Sequence, residues 1–118
     1  MSQLNSIKDS IVYKKANNLS LAIVALTNGL PCDEVCQLRD RLRETAESIP
    51  ANIEVGFRKI NRIDRIRSLI ATRTSLEECR DYLCLAEKLK YASTISLINE
   101  LEEVAALLTN DFVSSPAA

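Results

Sequence analysis

The sequence predicts an all-α chain, an up-down-up-down antiparallel four-helix bundle whose second helix is kinked at a proline. Two observations carry that expectation. Apolar residues recur at intervals of three and four through four consecutive segments, the spacing that draws one stripe down a helix. Two glycines and three prolines in 118 residues leave little material for hairpins or long loops. The connections are therefore short, and consecutive helices become antiparallel neighbours. The length suits a single domain over residues 1–118 with a core that needs no staples. Tryptophan is absent and aromatics are scarce, so that core must be built from Leu, Ile, Val and Ala.

The first helix is expected over residues 9–28, with Val12, Ala16, Leu19, Ile23 and Leu26 on one stripe and Gly29, Leu30 and Pro31 ending it. The second spans 33–58 and carries Val35, Leu38, Leu42, Ala46, Ile49, Ile53 and Phe57. The third spans 62–90, capped by Asn61 with Asp64 in its first turn. Its stripe of Leu69, Thr72, Leu76, Cys79, Leu83 and Ala86 repeats with the spacing of bundle packing. Ser93 or Thr94 caps the fourth, over 94–110, whose inner face is Leu97 or Ile98, Leu101, Val104 or Ala105, and Leu108. The tail "DFVSSPAA" is expected to fray.

Pro50 falls inside the second stripe. A proline there lacks the N–H that an internal turn needs, and its ring crowds the carbonyl of Ala46. Yet Ile49 and Ile53 continue the face set by Leu38 and Leu42, so the stripe keeps its phase across the proline. One long helix kinked at Pro50 accounts for that phase; a loop followed by a new helix does not.

Some apolar residues exceed what a plain bundle needs. Ile11, Ile60, Ile63, Ile66, Ile70 and Leu85 lie off the main stripes, and Arg73, Glu77 and Arg80 form a polar seam along the third helix. A wide core face and an intermolecular contact are equally good readings of this surplus.

The residues give catalysis little to work with. Histidine is absent, which removes both the Glu-x-x-His pairs of di-iron bundles and any Ser-His or Cys-His nucleophile. Glu44 with Glu47, or Glu100 with Glu103, place two carboxylates on one helical face, as a solvated surface does. Neither glycine sits in a phosphate-cradling loop. Cys32 and Cys36, and Cys79 and Cys84, lack C-x-x-C spacing and are expected to be reduced thiols packed in or beside the core. The expectation is no catalytic residue, no cofactor and no metal; a small-molecule or metal site using the cysteines is a distant third reading. No apolar run is long enough to span a bilayer, and "MSQLNSIKDS" has no basic region followed by an apolar core, so a cytoplasmic protein without a membrane partner is expected.

Charge is more informative. Arg58, Lys59, Arg62, Arg65, Arg67 and Arg73 are opposed only by Asp64, a local excess of five positives in a chain of net charge −1. Arg58, Lys59, Arg62 and Arg65, around the turn between the second and third helices, are the candidate footprint for nucleic-acid phosphates. Arginines on helices also commonly pair with glutamates of a neighbouring helix or subunit, and only Phe57 offers a ring to stack on a base.

The stretches "VYKKANNLSLAIVALTNGLP", "SIPANIEVGFR" and "TSLEECRDYLCLAEKLKY" resemble a bacterial four-helix-bundle family first noticed as proteins encoded in intervening sequences of large-subunit ribosomal RNA genes. In the first, Tyr13, Lys15, Ala16, Leu26, Thr27 and Pro31 match the family pattern. The most specific match is Ser48, Ile49, Pro50, Asn52, Ile53 and Gly56, which makes the proline a family feature. Ser75, Leu76, Glu78, Leu83, Ala86, Leu89 and Tyr91 match in the third. Two positions depart: Val55 stands where the family usually has Glu, and Lys90 where a glycine commonly precedes the tyrosine.

The resemblance implies a homopentameric ring and no catalytic activity. It extends distantly to the accessory protein of diversity-generating retroelements, a pentameric barrel that contacts reverse transcriptase and RNA. Those relatives are strongly basic, which this chain is not. The expected function is thus a non-enzymatic ring-forming scaffold that contacts RNA or a nucleoprotein through the basic stretch. The alternative is a protein–protein adaptor whose arginines serve only subunit interfaces.

Overall fold

The computed structural model describes residues 10–113, which form four helices: α1 (Ile11–Thr27), α2 (Cys32–Arg58), α3 (Arg62–Lys88) and α4 (Ile95–Val113). Each packs on two neighbours, α1 and α3 both lying against α2 and α4, so the four-helix bundle closes on itself. The expected start at Asp9 lies outside the described residues. Ser10 caps α1 instead, its hydroxyl accepting the Tyr13 amide at 3.1 Å. Asn61 caps α3 as expected, its side-chain oxygen accepting the Ile63 and Asp64 amides at 2.7 and 3.4 Å. The fourth helix continues to Val113, so the tail does not begin to fray at Asp111.

The core follows the predicted stripes. Val12, Ala16, Leu19, Ile23, Leu42, Ala46, Ile49, Ile53, Cys79, Leu83 and Leu108 are all buried. Phe57 keeps the phase of its stripe but is 45% exposed. The cysteine expectation also needs correction: Cys79 is buried, but Cys32, Cys36 and Cys84 are exposed.

The second helix runs without interruption through Pro50, which is itself buried. Its non-helical dihedrals occur elsewhere, at Val35 (φ −130°, ψ 41°), one turn after the helix begins.

The polar seam is an intramolecular joint. Arg80 Nε meets Glu102 Oε2 at 2.7 Å, and Arg73 donates to the Thr109 hydroxyl at 3.1 Å, tying α3 to α4. Thr94 has a different role from the expected cap. Its carbonyl accepts the Ile98 amide, but its hydroxyl turns back to the Leu83 carbonyl at 2.8 Å, fastening the start of α4 to α3.

Lys90 takes the left-handed conformation, φ 65°. Its N–H bonds to the Glu87 carbonyl and that of Tyr91 to the Ala86 carbonyl, both at 3.0 Å, which is the glycine-type ending of a helix. A glycine would take this conformation without strain, whereas a Cβ in it costs about 1–2 kcal/mol. Lys90→Gly is therefore expected to stabilise the chain by about 1 kcal/mol, read as an increased urea midpoint at unchanged slope. A lower midpoint would contradict the assignment.

Candidate nucleic-acid interface

The candidate surface follows from helix length. α2 and α3 each have 27 residues, against 17 in α1 and 19 in α4. At 1.5 Å per residue the longer pair reaches about 40 Å, most of the 48 Å long axis of the molecule. Cross-helix contacts fix the register. Lys15 meets Glu103 at 2.8 Å, the adjacent Glu102 meets Arg80, and Ser75 meets Ser48. The first described turn of α1 is thus level with the middle of α2 and α3, whose joined ends overhang it.

The overhang combines two properties. Val55, Phe57, Ile60, Ile63, Ile66 and Ile70 are exposed, Ile60 at 81% and Ile63 at 61%, which removes the wide-core reading of these surplus residues. The four candidate phosphate-binding residues lie among them. Arg58 and Lys59 end α2, and Arg62 and Arg65 open α3. Arg58 is held by Glu54 of its own helix at 2.7 Å, and Arg67 by Asp64 at 3.7 Å. Arg65 is half-buried and takes part in an interaction of its own. Lys59 and Arg62 are exposed, and among the described residues neither has an ion-pair partner. These two are accordingly the best placed to receive a phosphate without first giving up a contact. Glu54 is engaged by Arg58, and Val55, its neighbour, is 45% exposed.

The motif residues Ser48, Ile49, Pro50, Asn52, Ile53 and Gly56 lie on the other side of the helix. Ile49, Pro50, Ile53 and Gly56 are buried, and Asn52 is half-buried. The Ser48 hydroxyl donates to the Thr45 carbonyl at 2.7 Å and contacts the Ser75 hydroxyl at 2.8 Å. Two separately matched motifs, one on α2 and one on α3, thus meet at a serine pair. Buried small residues of α3, Ser68, Thr72, Ser75 and Cys79, share that seam. Burial pushes the Cys79 thiol up to about 11, opposed by a hydrogen bond with Thr45. The motif lies on the packed side of the long hairpin, whose outer surface carries the exposed residues.

At the opposite end, the Tyr91 hydroxyl donates to Glu34 at 3.0 Å, tying the α3–α4 connection to the first turn of α2. That hydrogen bond holds the phenol proton above its usual range. Sequence reading missed this contact, because nothing in the spacing links positions 34 and 91. Glu44, Glu47, Glu100 and Glu103 are exposed, as their spacing suggested. Among the described residues no group of three or more Cys, Asp or Glu is arranged to hold a metal ion, and no helix is long and apolar enough to cross a membrane.

Comparison with known proteins agrees with this architecture. The 23S rRNA-intervening sequence protein family matches the chain over residues 8–110. No curated protein matches it.

Proposed function

The chain belongs to the 23S rRNA-intervening sequence protein family, and from that premise we propose a non-enzymatic, cytoplasmic scaffold that assembles as a homopentameric ring and contacts structured RNA, free or within a nucleoprotein. Arg58, Lys59, Arg62 and Arg65 are the residues proposed to meet phosphate. The observation that carries the reading is the overhanging hairpin, where exposed isoleucines lie beside Lys59 and Arg62, both exposed and without an ion-pair partner among the described residues.

Assembly has independent support. A ring of identical chains needs two different patches that meet head to tail. Exposed apolar residues occur on more than one element: Ile60, Ile63, Ile66 and Ile70 on the α2–α3 hairpin, and Ile11, Leu21 and Ile95 on α1 and α4. Under this reading Pro50 bends α2 to the curvature the ring requires. Pro50→Ala should then keep the helical content while reducing the ring fraction in size-exclusion chromatography; an undiminished ring would remove that role.

RNA contact is tested by a salt titration. Binding of a structured RNA to the assembled protein should weaken steeply between about 50 and 200 mM salt, because released counterions drive phosphate contacts. Repetition of a weak site around the ring raises the affinity into a measurable range. In the adaptor reading the arginines serve only subunit interfaces. An assembled protein with no salt-sensitive RNA affinity would favour it.

A further inference from the structure

Cys32 and Cys36 have no part in the hairpin surface. Cys32 opens α2 and Cys36 lies four residues on; both are exposed. The Cys32 thiol donates to Cys36 Sγ at 3.6 Å, and the Cys36 thiol to Asp40 Oδ2 at 3.7 Å. In a regular helix, side chains four residues apart keep their Cβ atoms about 5–6 Å apart. A disulfide needs about 3.5–4.5 Å. This turn is not regular, because Val35 between the two cysteines has non-helical dihedrals. Its cap, Pro31, makes no side-chain hydrogen bond to the first amides. The segment can therefore tighten locally while α2 from Leu38 onward, where its buried face begins, stays packed.

We propose that Cys32 and Cys36 form a reversible dithiol modification site, which closes to an intrahelical disulfide by exchange with a low-molecular-weight disulfide of the glutathione class. The thiolate of one cysteine attacks a sulfur of the small disulfide, forming a mixed disulfide and expelling one thiolate. The second cysteine, also as thiolate, attacks the protein sulfur of that mixed disulfide and expels the other. The protein gives up two protons and two electrons, and the small disulfide leaves as two thiols. The remaining cysteines provide the contrast. Cys79 is buried. Cys84 is exposed, but among the described residues it has no thiol partner.

The test uses the full chain, incubated with oxidised glutathione, trapped by alkylation and read by intact mass and peptide mapping. The expected product has lost two hydrogens and links positions 32 and 36 within one chain, with no lasting glutathione adduct at either, because the second step is intramolecular and follows the first rapidly. Cys84, with no thiol partner among the described residues, keeps its adduct. Cys36→Ser should leave glutathione attached to Cys32, Cys32→Ser should leave it on Cys36, and Cys84→Ser should still form the internal link. Circular dichroism of the oxidised wild type should retain the helical signal. A stable glutathione adduct on wild-type Cys32 or Cys36, a link between two chains, or loss of helix on oxidation would each overturn the proposal.

Discussion

Ile49→Ala is expected to destabilise the fold by about 3 kcal/mol, within the range for truncating a fully buried aliphatic side chain. Ile49 has no exposed surface and lies beside Pro50 in the motif that carries the α2–α3 seam. The loss combines the transfer of the removed carbons with a cavity that closely packed helices cannot collapse to fill. Against a total stability of about 5–15 kcal/mol this is a large fraction. Urea unfolding at unchanged slope is the measurement, with Glu47→Ala as a control expected to stay within about 0.5 kcal/mol at its exposed position. A cost for Ile49→Ala no larger than the control's would mean that the motif does not act through packing.

Reversing charge at both Arg62 and Arg65 to Glu is expected to lower affinity for structured RNA by ~100-fold or more at low salt, since each subunit loses two phosphate partners and gains two repulsive charges. Arg65 is half-buried and engaged, so a fall in affinity with that variant alone would mix binding with local packing. Lys59→Glu with Arg62→Glu separates the two, because both positions are exposed. The same fall in this second variant, with the assembly intact, supports phosphate contact. Dissociation of the assembly in either variant makes the arginines interface residues and favours the adaptor.

Local periodicity made most of the fold legible. The stripes through Leu19, Leu42, Leu76 and Leu101 named the buried faces, and Asn61 marked the start of α3, because helix pattern and capping depend on neighbours within a few residues. Contacts between distant positions were not legible. Ser48 with Ser75, Thr94 with Leu83 and Tyr91 with Glu34 depend on the register in which helices slide past one another, which no single stripe specifies. Phe57 kept its helical phase yet is exposed, because phase says which side a residue faces and not whether a neighbour is present. The basic cluster was visible as a run of charges, but the difference between Arg58, already paired, and Arg62 needed the coordinates.

Assembly through the apolar surfaces left outside the core would be read directly as mass in solution. Light scattering on the purified chain at micromolar concentration should give about five times the 13.1 kDa chain mass. Ile63→Glu with Ile70→Glu, on exposed positions of α3, should reduce that mass to one chain while leaving the helical signal unchanged. A wild-type protein that stays at the mass of one chain would contradict the account.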